Sequence, residues 1–165
     1  MLAKFLSFVL ICGLFLAVTP ASAQQKEFIG AAKCKMCHNK PPQGEQYNKW
    51  TASKHSKAMA SLKGDEAKDP KCLKCHSTAA GLKLSDTQTI TVAEGVSCES
   101  CHGAGSAYKT PTNMKDRAKA IAAGMIIPDE NLCKKCHNAE SPNFKGFDYK
   151  TAFPKIAHPN PAKAK

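Results

Sequence analysis

Cysteine and histidine recur in one five-residue pattern, Cys-x-x-Cys-His, at four places. They are Cys34-Lys-Met-Cys37-His38, Cys72-Leu-Lys-Cys75-His76, Cys98-Glu-Ser-Cys101-His102 and Cys133-Lys-Lys-Cys136-His137. Two thiols at this spacing can add to the two vinyl groups of one porphyrin, and the next residue, His, reaches the iron from the proximal side. The pattern uses eight of the nine cysteines, which rules out a chance match. It implies four covalently bound haem c groups, each with its iron. Zinc ribbons also pair C-x-x-C motifs, but they need no histidine after each pair. Disulfides in an exported chain would use the thiols and leave the fourfold histidine without a reason.

Four irons have four proximal ligands: His38, His76, His102 and His137. Only His55 and His158 remain for four distal positions, so at least two irons must bind methionine, another weak ligand, water or nothing. His55 and His158 are the distal candidates. Each has a plainer alternative, a surface or hydrogen-bonded imidazole. Met114 and Met125 are further axial candidates. Met59 is expected to pack against a haem, and Met36, between two haem cysteines, cannot easily fold back onto iron.

The elements that must hold these residues read as mainly helical, with long loops pinned by the haem bonds. After Pro41-Pro42 a helical pattern runs from about Gln43 to Leu62, with Tyr47, Trp50, Lys54, Ala58 and Leu62 on one face; it carries His55, and Gly64 stops it. Asp69-Pro70 leads into the second motif. Thr87 to Val92 alternates as a short strand or an extended loop. Gly103-Ala104-Gly105 is expected to turn tightly against a porphyrin face. A second helical pattern covers Asn113 to Ala123, with Gly124 near its end. Asp129 is expected to cap a short helix entering the fourth motif, and Asp148 a last helix ended before Pro159. The segments between motifs do not repeat, so the chain is not a solenoid.

The first 23 residues read as an export signal: Lys4, an apolar run from Leu6 to Val18, then Ala21-Ser22-Ala23 ahead of Gln24. Cys12 lies inside it behind Ile11, which does not suit a lipoprotein anchor. The domain expected to carry the haems is 24–165, periplasmic or otherwise exported, soluble and without stable membrane insertion. At roughly one haem per 35 residues the chain has too little apolar volume for an ordinary core, so the porphyrins must supply much of the interior and lie close together. The formal charge of +11 overstates the basicity. Loss of Lys4 and addition of eight propionates bring it to about +6 with ferric and about +2 with ferrous irons. The lysines are dispersed among few aromatics, a poor pattern for nucleic acid. They suit steering towards acidic redox partners, or a solvated coat.

The chain resembles the tetrahaem cytochrome c-554 family. The matching stretches are Phe28-Ile-Gly30 before the first motif, Trp50-Thr-Ala-Ser53-Lys-His55, and Gly95-Val-Ser-Cys98-Glu-Ser-Cys101-His102-Gly-Ala-Gly105. They continue with Asn131-Leu-Cys133-Lys-Lys-Cys136-His137-Asn138, Ser141-Pro142-Asn143-Phe144 and Lys155-Ile-Ala-His158-Pro159. The resemblance implies a compact, mostly helical multihaem cytochrome c fold built around four stacked haems, with mostly bis-histidine irons and one five-coordinate haem. It also implies that His55 and His158 are distal ligands. The best-known member accepts electrons from hydroxylamine oxidoreductase, a partner that the resemblance does not carry over. Tyr108 departs from the family, whose members often place histidine after this Gly-x-Gly, and this points to a second haem without a distal histidine.

The expected function is electron transfer between redox proteins: cytochromes, reductases or quinol-linked donors, in anaerobic or nitrogen-linked respiration. The alternative is a haem enzyme acting on nitric oxide, hydroxylamine or peroxide at a five-coordinate haem, and a third reading is a unit of an extended haem wire. Oligomeric state is left open.

Overall fold

The computed structural model describes residues 26–161; the export signal and Cys12 lie outside them. The described chain is a succession of short helices: α1 (Ala31–His38), α2 (Gln46–Ala52), α3 (Pro70–His76), α4 (Cys98–His102), α5 (Pro111–Met114), α6 (Arg117–Ala122), α7 (Glu130–Lys134) and α8 (Tyr149–Ile156). Single 3₁₀ turns and long loops join them, and no strand occurs among the described residues. Helices this short are not stable by propagation alone, so their ends must be fixed individually. Asp69, Asp116, Asp129 and Asp148 do this by accepting hydrogen bonds from Lys71, Lys119, Leu132 and Lys150 N–H. Each such cap contributes about 1 kcal/mol.

α1 is capped differently. Two carboxylates from distant segments meet its first turn: Glu99 accepts from Ile29 N at 2.9 Å and Gly30 N at 2.8 Å, and Glu94 accepts from Ala31 N at 3.0 Å. Glu99 also accepts from Gly105 N at 2.7 Å and is only 2% exposed. One side chain therefore ties the start of α1 to α4 and to the turn after it.

Two expectations about the elements need correction. The long helix over 43–62 is instead α2 followed by a separate 3₁₀ turn, Ala58–Ser61. Ser53 is extended, and the His55 carbonyl accepts from Val96 N at 3.0 Å as well as from Ala58 N. Docking against 95–96, reinforced by Trp50 Nε1 donating to Val96 O at 2.9 Å, overrides helical periodicity. His55 therefore lies in a turn, and Gly64 opens a 3₁₀ turn instead of ending a helix. The pattern over 113–123 divides at Asp116, whose side chain starts α6. Gly103-Ala104-Gly105 also packs closely on protein. A Cβ on Gly105 would sit 2.8 Å from Ile29 Cδ1, and one on Gly103, at φ +77°, 3.0 Å from Gly124 O. Over 87–92 the chain is a turn at Thr87 and loop to Thr91, with Val92 opening a 3₁₀ turn, and α8 contains Pro154.

Candidate haem centres

Each motif begins on a helix. In α1, α3 and α4 both cysteines and the histidine lie within the helix; α7 holds Cys133, and a turn bonded to Cys133 O carries Cys136 and His137. Residues three and four apart share a helical face, so two thiols and an imidazole project from one side of each motif.

The motifs also meet one another. The Cys34 and Cys98 thiols lie close together; their interaction lowers the pKa of Cys34 and, with burial, raises that of Cys98. Cys75 and Cys136 are paired similarly; burial and then Cys75 push Cys136 up to about 12. Cys101 feels Cys133, and Cys136 feels Cys101. The attachment points thus neighbour one another in the order second, fourth, third, first.

The histidines meet in twos. His55 faces His137 with ring centroids 6.0 Å apart, and His102 faces His158 at 6.0 Å. Two metal–imidazole bonds of about 2.0 Å, with about 1 Å from each nitrogen to its ring centre, separate trans imidazoles by about 6 Å. Each pair therefore sets one motif histidine against one distal candidate at a centroid separation that fits a metal held between them. All six histidines lie within the described residues, and neither His38 nor His76 has an imidazole facing it at this spacing.

The other ring nitrogen is engaged in four of the six. His76 Nδ1 donates to Ala58 O at 2.9 Å, His102 Nδ1 to Ile126 O at 3.3 Å and His158 Nδ1 to Ile156 O at 2.8 Å. His38 Nδ1 donates to Gln46 Oε1 at 3.4 Å. A carbonyl can only accept, so Nδ1 carries the proton and Nε2 keeps its lone pair for a metal. Burial, then the neighbouring His137, lowers the pKa of His55. Burial is also the main cause lowering that of His102, to which His158 and His38 add. Neutral imidazoles are the ligating form. His137 additionally stacks on Phe147, with centroids 4.6 Å apart.

Among the described residues the buried apolar side chains are few, and half of them are alanine: Ile29, Ala31, Ala79, Ile90, Tyr108 and Ala120. Met36, Ile121, Ile126 and Ile127 are exposed in the polypeptide. A chain of this length needs more apolar contact than these provide. Flat apolar groups bonded at four places would supply it. The donor set, the imidazole spacing and the thin core all fit covalent haem.

Two cavities lie beside these residues. One, of about 310 Å³, is lined by Lys54, Lys57, Ala58, Ser61 and His76. The other, of about 300 Å³, is lined by Lys49, Ala52, Ser53, Lys155, Ile156 and Ala157, next to His158. Met59 belongs to the 3₁₀ turn on the His76 side, and Tyr108 is buried with its hydroxyl donating to Gly103 O at 2.8 Å. Sequence reasoning passed over Gln46, Phe147, Glu94 and Glu99. Glu99 alone carried a signal, as the single acidic residue between any pair of motif cysteines.

The family model for cytochrome c554 and c-prime matches residues 33–103, which span the first three motifs. The chain is 31% identical over 179 residues to the cytochrome c-554 of Nitrosomonas europaea, covering 84% of this chain and 72% of that protein. No solved structure matches the chain significantly.

Proposed function

We propose a function from one established premise: the chain belongs to the cytochrome c-554 family. Membership makes it an electron-transferring c-type cytochrome with covalently bound haem c and redox proteins as partners. The finer reading is an exported tetrahaem carrier, with residues 1–23 removed as a signal and 24–165 holding four haems, that moves electrons between periplasmic partners in anaerobic or nitrogen-linked respiration. No helix among the described residues is long and apolar enough to cross a membrane.

The observation that carries this reading is the pair of 6.0 Å imidazole contacts, His55 with His137 and His102 with His158. Cys34, Cys37, Cys72, Cys75, Cys98, Cys101, Cys133 and Cys136 would form the thioether bonds. His38, His76, His102 and His137 would be proximal ligands, and His55 and His158 distal ones. Bound there, iron porphyrin supplies reversible one-electron exchange between its ferric and ferrous states. The chain's own work is positional. Nδ1 bonds to carbonyl oxygens fix the tautomers of His38, His76, His102 and His158 and raise their donor strength. The neighbouring of attachment points in the order second, fourth, third, first supports an electron path in that order.

The test is a haem count and a redox titration of the secreted protein. Mass and pyridine haemochrome should give four covalent haems, and the titration four one-electron steps. Fewer covalent haems, or a chain retained in the cytoplasm, would refute the reading.

A second reading, catalysis at an open iron, draws on His76. It has no facing imidazole and borders the cavity that holds Lys54 and Lys57, whose ammonium groups suit an anionic substrate or proton delivery. Steady turnover of nitric oxide or hydroxylamine at rates above free haem would support it.

A further inference from the structure

Of the two motif histidines without a facing imidazole, His38 belongs to the motif at the end of the series of attachment points opposite His76. Its Nδ1 donates to Gln46 Oε1, which leaves Nε2 for iron. The two distal histidines are already opposed to other motifs, His55 to His137 and His158 to His102. His102 lies near His38, but it faces His158 and follows its own thiol pair.

Of the other side chains that could ligate iron, Met114 ends α5, which packs on α6, and Tyr108, Met36, Met59 and Met125 are committed elsewhere. Tyr108 lies beside Cys34 and Cys98, yet its hydroxyl donates to Gly103 O at 2.8 Å, and burial pushes its pKa upwards. It is a neutral phenol held by a carbonyl, whereas an iron-bound tyrosine is a phenolate. Met36 is 69% exposed between its two cysteines, and Met59 sits by the His76 cavity, in the turn whose Ala58 carbonyl holds that ring. Met125 adjoins Ile126, whose carbonyl holds His102, and so belongs to the third motif. Just past His38, Asn39 Oδ1 and Gln43 Oε1 are buried oxygens without a hydrogen-bond partner. The segment around this motif therefore has polar acceptors still to satisfy.

We propose that the His38 iron is a second open coordination site, with no protein ligand on its far face, and that it binds small exogenous ligands. These are diatomic π-acceptors such as nitric oxide and carbon monoxide in the ferrous state. The site rests on the tetrahaem reading above. It makes Gln46 a positioning residue, since its amide oxygen sets the basicity of the His38 imidazole. Open irons then stand at both ends of the series, with two bis-histidine centres between them.

The experiment uses the intact holoprotein, first checked for four covalent haems; a different count would break the tetrahaem reading itself and is read separately. With four haems present, ferric electron paramagnetic resonance should show two high-spin and two low-spin irons. The dithionite-reduced protein should bind two equivalents of carbon monoxide. Resonance Raman of the ferrous protein should show two iron–histidine stretches. Gln46→Glu should raise one of them by strengthening the acceptor at Nδ1, and Gln46→Leu should lower the same one. Ser61→Ala, which removes a partner at 3.2 Å from His76 Nδ1, should move only the other. One equivalent of carbon monoxide, one high-spin iron, or two stretches that both ignore the Gln46 variants would overturn the proposal.

Discussion

The third and fourth motifs differ from the first and second in what stands opposite their histidines. His102 and His137 each face a second imidazole at 6.0 Å, whereas His38 and His76 face none. The motif residues are the same in all four, so the motif does not decide coordination. The loops that arrive from elsewhere do. His158 is delivered by the end of α8, where Ala157 turns extended and Ile156 O holds His158 Nδ1. His55 is delivered by the break after α2, where Val96 N–H donates to its carbonyl and Gly95 packs closely against it.

The strongest way to break this contrast is to remove the second imidazole. His158→Ala should convert the third-motif iron, and His55→Ala the fourth-motif iron, from low to high spin, one iron per variant. The midpoint potential of the affected haem should rise by on the order of 0.1 V, a fraction of the span of about 0.8 V that axial ligands command. Electron paramagnetic resonance and spectroelectrochemistry read both effects. Unchanged spin counts in either variant would mean that the imidazole contacts are not coordination pairs.

A milder perturbation tests the delivery instead of the ligand. Gly95 has φ +69°, and a Cβ there would lie 2.8 Å from His55 O and 3.0 Å from Ser56 O. Gly95→Ala should cost about 1–3 kcal/mol of stability through strain in the left-handed region. It should also loosen His55 enough to give the fourth-motif iron a high-spin fraction, leaving the third-motif iron as it was. A high-spin fraction appearing equally at both centres would show general loosening and argue against a dedicated His55 support.

How far this contrast could be read from the sequence depends on the range of the contacts involved. The motifs and their cysteines are local patterns, and the aspartate caps at Asp129 and Asp148 are local too; both are plain in the sequence. The shortage of distal histidines follows from counting. Which motifs go short does not, because the pairing of His55 with His137 joins segments far apart in the chain. The same applies to the helix expected through His55. Its periodicity was real over Tyr47 and Trp50, but Val96 N–H takes the His55 carbonyl and ends the helix at Ala52. Glu99 shows the opposite case. An acidic residue between two haem cysteines was visible, but its four-way grip on Ile29, Gly30 and Gly105 needed the turn after α4 to be placed first.

The smallest effect concerns how the unpaired first motif is anchored. Glu94 and Glu99 both meet the start of α1, and no ion pair is formed by either among the described residues. Burial raises the pKa of Glu94 above its ordinary 4.5, the Ala31 N–H opposes that rise, and the Glu99 charge adds to it. A carboxyl whose folded pKa exceeds its unfolded pKa binds more protons in the folded state across that interval. Stability from this group is therefore greatest below 4.5 and is lost as pH rises through the folded pKa. Glu94→Gln removes the titration while leaving an oxygen to accept from Ala31 N. Denaturant midpoints measured on the ferric holoprotein at pH 4.5 and pH 7 should differ less in the variant than in the parent. Equal pH dependence in both would mean that Glu94 is ionised throughout and that Glu99 alone sets the electrostatics beneath the first motif.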